Sequence, residues 1–307
     1  MSRIAFVTSE ALSNLTEDDR RAAEALARRG AAVTPVVWTK SPRLDRFDAV
    51  VIRSPWDYSQ QPRLFDDWLE AARSAPLLNS YEVLRWNVDK RYLTDLAAAG
   101  ASVIPTLVYD RYARVNLEAI VRDRGWSRVV VKPLISAAGN RTFTAMAGDL
   151  AAAQAELAVL LADVGVLIQP FAEGIADEGE WSLIYLGGEY SHCVLKRTAA
   201  DDFRVQAKWG GTVGRGEPGA AVIEAAERAL AAAGAILVDA DLLYARVDLV
   251  RCNGVYSVME LELIEPELFF RFAEESADRF ADALLSRLRG KRTRRAAPAA
   301  LGRPKDL

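Results

Sequence analysis

In the C-terminal third of the chain, two apolar runs carry charged residues at positions where core residues should alternate. They read Arg246-Val-Asp248-Leu-Val-Arg-Cys252, then Asn253-Gly254, then Val-Tyr-Ser-Val-Met-Glu260-Leu-Glu262. Asn-Gly between two such runs predicts a β-hairpin. Its register decides its chemistry, because a slip of one residue sends a side chain to the opposite face. A two-residue loop sets Asp248 against Met259 and parts it from Glu260. A three-residue loop, Cys252-Asn253-Gly254, puts Asp248 on the face of Glu260 and Arg246 on the face of Glu262, gathering four charges on one face. Carboxylates about 5 Å apart repel unless a cation offsets them, and Mg2+ suits oxygen ligands that it shares with water and phosphate. An Arg246–Glu262 ion pair beside solvated acids is the alternative reading of the same residues.

Charge also stands at the ends of other strand-like runs. Lys132 nearly closes Arg128-Val-Val-Val-Lys132-Pro133, so its ammonium either leaves the core along its stem or meets a buried anion. The next loop, Ser136-Ala-Ala-Gly139-Asn140, consists of small residues that let backbone amides approach a phosphate, although it matches neither Walker A nor G-x-G-x-x-G. Arg53-Ser-Pro-Trp56-Asp57-Tyr58 stands where a strand of an open α/β sheet presents its loop to ligands. There Arg53 can clamp a carboxylate and Asp57 an ammonium group, with Trp56 beside them; a surface Arg53–Asp57 ion pair over Trp56 is the alternative. The one histidine, His192, reads as a strand residue rather than a proton shuttle. Cys193 and Cys252 are too few for a disulfide scaffold and lack zinc spacing.

These residues need elements to hold them. A chain of 307 residues, 51% hydrophobic and 26% charged, can bury a core. With 39 basic against 42 acidic residues its net charge is −3, which excludes the basic footprint of general nucleic-acid binding. No apolar run reaches the roughly 18 residues of a membrane span, and no signal-peptide pattern opens the chain, so the cytoplasm is the expected compartment. Strands over 4–8, 33–38 and 49–53, with a helix over 16–29, predict a parallel α/β lobe within 1–88, where a helix near 63–73 and a short run at 77–78 follow. Helices near 89–99, 117–124 and 149–162 and strands over 104–109, 128–133, 142–146 and 165–170 make a central lobe, 89–168. Adjacent strands over 181–186, 190–196, 243–251 and 255–263 predict antiparallel sheet in a third lobe, 169–290, with helices over 218–233 and 266–289. Residues 291–307 are basic and unpatterned and are expected to be a disordered tail.

Lys132, the small loop, Gln169-Pro170-Phe171, Glu180, Lys196, Asp248 and the acidic strand follow one another in that order. The succession resembles the ATP-grasp superfamily of carboxylate-amine ligases over roughly residues 1–290. The resemblance implies an α/β fold in which an N-terminal parallel α/β lobe precedes two α+β lobes that clasp ATP. It makes Lys90, in Asn87-Val-Asp-Lys90, and Lys132 the nucleotide-contacting lysines, and has the loop with Ser136 and Gly139 close over the phosphates. Gln169 and the backbone of Phe171 then read the adenine edge, and Glu173 or Glu180 holds ribose. Lys196 reaches the phosphates and, with Arg204 and Arg246, neutralises the transferring phosphoryl group and an acyl phosphate. Asp248 and Glu260 become ligands of Mg2+, or of Mn2+ in its place, and Glu262 stands where asparagine is common.

Arg53-Ser-Pro-Trp-Asp-Tyr, Leu195-Lys-Arg197, Asp202-Phe-Arg204-Val-Gln206 and Met259-Glu-Leu-Glu-Leu-Ile-Glu-Pro266 resemble the branch that contains the D-cycloserine synthetases, and with it antibiotic biosynthesis. The branch implies ring closure of O-ureido-D-serine. Intermolecular ligation of amino acids or peptides is the second enzyme reading, and a non-catalytic nucleotide-binding protein the third. A small amino-acid-like substrate is expected, with no nucleic-acid or membrane partner and a homo-oligomer, dimer or tetramer.

Overall fold

The computed structural model describes residues 1–40, 43–137, 139–199, 205, 209–238 and 240–296. The N-terminal strands β1 (Ser2–Thr8), β2 (Ala31–Val37), β3 (Ala49–Ser54) and β4 (Leu77–Leu78) form a parallel sheet in the order β2-β1-β3-β4. Helix α1 (Glu17–Arg28) makes the first crossover and is capped by Thr16, whose hydroxyl accepts from the Asp19 amide at 3.0 Å. Alternation divides the strands between two cores. Ala5, Val7, Val50 and Ile52 meet Phe65 and Trp68 of α2 (Pro62–Ala71), while Ile4, Phe6 and Val51 face the other way, towards Leu26 of α1.

Two short helices, α3 (Tyr81–Asn87) and α4 (Tyr92–Ala98), lead to the second sheet. Its strands β5 (Leu107–Tyr109), β6 (Arg128–Pro133), β7 (Phe143–Met146) and β8 (Val166–Pro170) are antiparallel in the order β5-β8-β6-β7. Val129, Val131 and Ile168 pack on Leu117 of α5 (Leu117–Arg124) and on Leu157 and Leu161 of α6 (Ala151–Asp163). The period of two therefore leaves Val130, Lys132 and Gln169 on the opposite face.

The third sheet follows a single-turn helix, α7 (Gly174–Asp177). Strands β9 (Glu180–Leu186), β10 (Glu189–Arg197), β11 (Thr212–Gly216), β12 (Tyr244–Cys252) and β13 (Val255–Glu262) run antiparallel in the order β11-β10-β9-β12-β13. Helix α8 (Ala220–Ile236) lays Ala225, Ala226, Ala229 and Ala233 on Leu183, Val247, Leu249 and Leu261, and so Glu180, Ser182, Lys196, Arg246 and Asp248 occupy the other face. Strand β11 escapes the sequence pattern because Thr-Val-Gly-Arg-Gly has no apolar alternation.

The last helix, α9 (Ser276–Ala296), corrects the sequence reading at both ends. It starts ten residues later than expected, after a segment with a one-turn helix at Phe270–Phe272. It continues through residues 291–296, which were expected to be disordered, whereas 297–307 lie outside the described residues. Phe280 and Leu284 of α9 complete the core over Ile4 and Phe6 of β1. Two asparagines join the first lobe to the third. The Asn79 amide donates to the Tyr244 and Leu263 carbonyls at 3.0 and 2.8 Å and its oxygen accepts from the Leu243 amide at 2.7 Å. Asn87 donates to the Leu261 carbonyl and accepts from the Leu263 amide, both at 2.8 Å. Among the described residues, no helix is long and apolar enough to cross a membrane.

Candidate active site

The β12–β13 hairpin turns through two residues, Asn253 and Gly254, at φ 49° and 79°. This corrects the three-residue turn expected from the sequence. Pairing runs from Cys252↔Val255 to Leu249↔Val258 and then steps, so that Asp248 opposes Glu260 and Arg246 opposes Glu262. The step is a β-bulge: Met259 is the extra residue of β13, and it moves both acids onto the face of Asp248.

Asp248 is 1% exposed, and two nitrogens of Arg246 donate to it, Nε to Oδ1 and Nη2 to Oδ2, both at 2.9 Å. The Ser182 hydroxyl donates at 2.5 Å. Burial pushes the Asp248 carboxyl up, but Arg246 and Lys196 outweigh it and hold the group down at about 2. Arg246 also pairs with Glu262, so the ion pair and the acid cluster are one network. Burial, helped by Glu260, Asp248 and Glu265, raises Glu262 to about 8 against the pull of Arg246. Glu260 accepts from Lys90 at 3.0 Å; Lys90 and Lys132 overcome its burial and hold its carboxyl below the usual range. One oxygen each from Asp248, Glu260 and Glu262 lies within 4.8 Å of the others. Three clustered carboxylate oxygens, two of them on groups held ionised by adjacent cations, fit a hard divalent ion.

These acids form one wall of a cavity of about 410 Å³ between the three sheets. Lys132 enters from β6, where burial lowers its pKa and Glu260 opposes that shift. Lys90 also donates to the Ser136 carbonyl at 2.6 Å, fixing the start of the small-residue loop, and Ser136 and Gly139 line the cavity. Lys196 reaches Glu180 at 2.6 Å and Asp248 at 3.5 Å, and both Lys196 and Glu180 face the cavity. Gln169 and Phe171 border an apolar slot with Ile104, Val130 and Met259. The Gln169 amide donates to the Thr106 hydroxyl at 2.8 Å. The Phe171 amide already donates to the Arg128 carbonyl at 2.9 Å, so the backbone there can offer a ligand only its carbonyl oxygen.

Several expected site residues lie elsewhere. Arg53, 1% exposed, does not line the cavity; its Nε donates to Asp19 at 2.8 Å and its Nη2 to the Pro266 carbonyl at 3.1 Å. The end of β3 is covered by α1 and the chain after Pro266, which the sequence of that segment does not show. Asp57 faces the interior of the first lobe and accepts from Trp38 Nε1 at 2.8 Å, so no Arg53–Asp57 pair forms. Glu173 is exposed at the start of α7, off the cavity, which leaves Glu180 of the two ribose candidates. Arg204 lies outside the described residues. Trp56 does line the cavity, joined by Tyr58 and Glu265, which were not singled out. Their signal was adjacency, since each lies within three residues of a named candidate.

Residues 4–79 match the family described as "D-cycloserine synthetase DcsG, N-terminal domain". The cycloserine biosynthesis protein DcsG of Streptomyces lavendulae is 36% identical over 262 residues, which cover 80% of this chain and 84% of that protein. The crystal structure of D-cycloserine synthetase DcsG superposes with a TM-score of 0.85 at 32% identity, over 94% of this chain and 100% of that one. D-alanine–D-alanine ligase from Bacillus anthracis complexed with ATP shares the fold, with a TM-score of 0.65 at 17% identity over 96% of this chain and 100% of that one. The chain belongs to the D-cycloserine synthetase family, and so to the ligases of the ATP-grasp fold.

Proposed function

We propose that the protein closes O-ureido-D-serine to D-cycloserine, with Mg2+ as the divalent ion. The observation that carries this reading is the cavity itself, whose lining brings together clustered acids and lysines, the apolar side chains beside Gln169 and Phe171, and Trp56, Tyr58 and Glu265. Lys132, Gln169, the Phe171 carbonyl and Glu180 hold the nucleoside part of ATP, and Lys90 and the loop with Ser136 and Gly139 hold its phosphates. Asp248, Glu260 and Glu262 would hold Mg2+, which supplies positive charge to the phosphate oxygens when bound. Lys196 and Arg246 add fixed cations where charge develops as the γ-phosphoryl group passes to the substrate carboxylate. The ureido nitrogen bonded to oxygen in the same molecule then attacks the acyl carbon, phosphate leaves, and hydrolysis removes the carbamoyl group from that nitrogen as carbon dioxide and ammonia. Little proton chemistry is asked of the protein, in keeping with a site rich in cations whose one histidine donates to or accepts from backbone and serine groups elsewhere.

Trp56 packs beside the substrate in this reading, whereas Arg53 and Asp57 support the lobe. The protein works as a homo-oligomer, dimer or tetramer, in the cytoplasm, where ATP is supplied. The test is ADP release from purified protein given ATP, Mg2+ and O-ureido-D-serine. The expected result is ADP formed in step with D-cycloserine and abolished by EDTA. ADP formed only with pairs of amino acids would replace ring closure by intermolecular ligation.

A further inference from the structure

Among the described residues, Glu265 is an acid in no ion pair. It is 9% exposed and lines the cavity, and the Tyr58 hydroxyl beside it favours its charged form. The positive groups near it are committed elsewhere. Lys90 pairs with Glu260, Arg246 with Asp248 and Glu262, and Arg271 with Glu267 and Asp18. Among the described residues, no ion pair reaches Glu265. Its backbone is pinned, because the indole nitrogen of Trp56 donates to the Glu265 carbonyl at 3.1 Å. A buried carboxyl fixed through its backbone, facing an open cavity and, among the described residues, in no ion pair, costs stability in the free protein. Burial accordingly lifts this carboxyl to about 7, with Glu260 adding to the lift and Tyr58, Lys90 and Arg246 opposing it. The arrangement is complementary to a ligand that brings its own positive charge.

We propose that Glu265 is a specificity-determining residue that receives the α-ammonium group of the substrate. This rests on the reading of the cavity as an amino-acid ligase site. Tyr58 stands beside the carboxylate, and Trp56 fixes the strand exit that carries it. The contact has a second effect on the chemistry. An amine held as its ammonium salt has no lone pair with which to attack an acyl phosphate, so the pairing withholds a competing nucleophile while the ring nitrogen reacts. Asp57, the sequence's candidate for this group, is turned to Trp38 and cannot serve.

The test compares O-ureido-D-serine with its des-amino analogue, 3-(ureidooxy)propanoic acid, in wild-type protein and in E265Q, by ADP release. Glutamine keeps an oxygen for the Tyr58 hydroxyl and removes only the charge. The wild type is expected to prefer the amino compound by at least about thirtyfold in kcat/KM, as for loss of one partner of a buried charge pair. E265Q is expected to erase that preference through the KM of the amino compound, with the KM for ATP unchanged, and E265D to restore part of it. Equal use of both compounds by the wild type overturns the assignment without any variant. A uniform loss for both compounds in E265Q overturns it in favour of a structural role. Absence of turnover with either compound in the wild type removes the ring-closure reading and this assignment with it.

Discussion

Glu260 is the residue on which the two halves of the site meet. It belongs to the acid cluster of the third sheet, yet its ion pair is with Lys90 from between α3 and α4, and Lys132 of the second sheet adds to the field that holds it ionised. Glu260→Gln preserves the shape and removes the one charge that both lysines face. We expect kcat to fall by at least about a hundredfold, because the charge lost is the one that a metal ligand contributes to phosphate stabilisation. A titration of Mg2+ at saturating ATP measures it, and near wild-type turnover would exclude Glu260 from the metal site. Arg246, Asp248, Glu260 and Glu262 were legible in the sequence because four charges interrupt two apolar strands joined by one turn. Glu265 was not, since its meaning depends on Tyr58, which lies far along the chain and meets it only through tertiary packing. Arg53 misled for the same reason: a strand end exposed in an open sheet is buried here beneath residues from both chain halves.

At the scale of the element, the hairpin reaches its register by an unexpected route. Asn253-Gly254 does what the dipeptide predicts, and both residues take the positive φ that a tight two-residue turn demands. The bulge at Met259 is silent in the sequence, because Ser-Val-Met-Glu-Leu-Glu reads as an unbroken strand whether or not one residue is skipped. Turn and bulge therefore have separable effects. Gly254→Ala places a side chain at φ 79°, in open space but in a backbone region that L-residues avoid. It should lower stability by about 1 kcal/mol in urea denaturation. The KM for ATP should not change, because the register is reset at Met259, beyond the turn. A large rise in that KM would show that the turn, and not the bulge, sets the acids in place.

The whole molecule is closed by contacts between its beginning and its end. Arg53 of β3 is paired with Asp19 of α1, donates to the Pro266 carbonyl and lies over the rings of Tyr244 and Phe280, at 5.3 and 6.0 Å from their centroids. Arg53→Ala leaves a buried carboxylate without its cation, and we expect a loss of about 3–5 kcal/mol in chemical denaturation. The KM for the small substrate should stay within about threefold, a change below 1 kcal/mol, whereas a clamp on its carboxylate would raise it far more. The edge of Phe280 meets Phe6, with ring centroids 6.3 Å apart, in the core that also holds Ile4 and Leu284. A ribosome makes Ile4 and Phe6 long before Phe280 and Leu284. Until translation has passed those last aromatic and leucine side chains, one face of the earliest sheet stays wet, so the nascent N-terminal lobe cannot complete its core ahead of the rest of the protein.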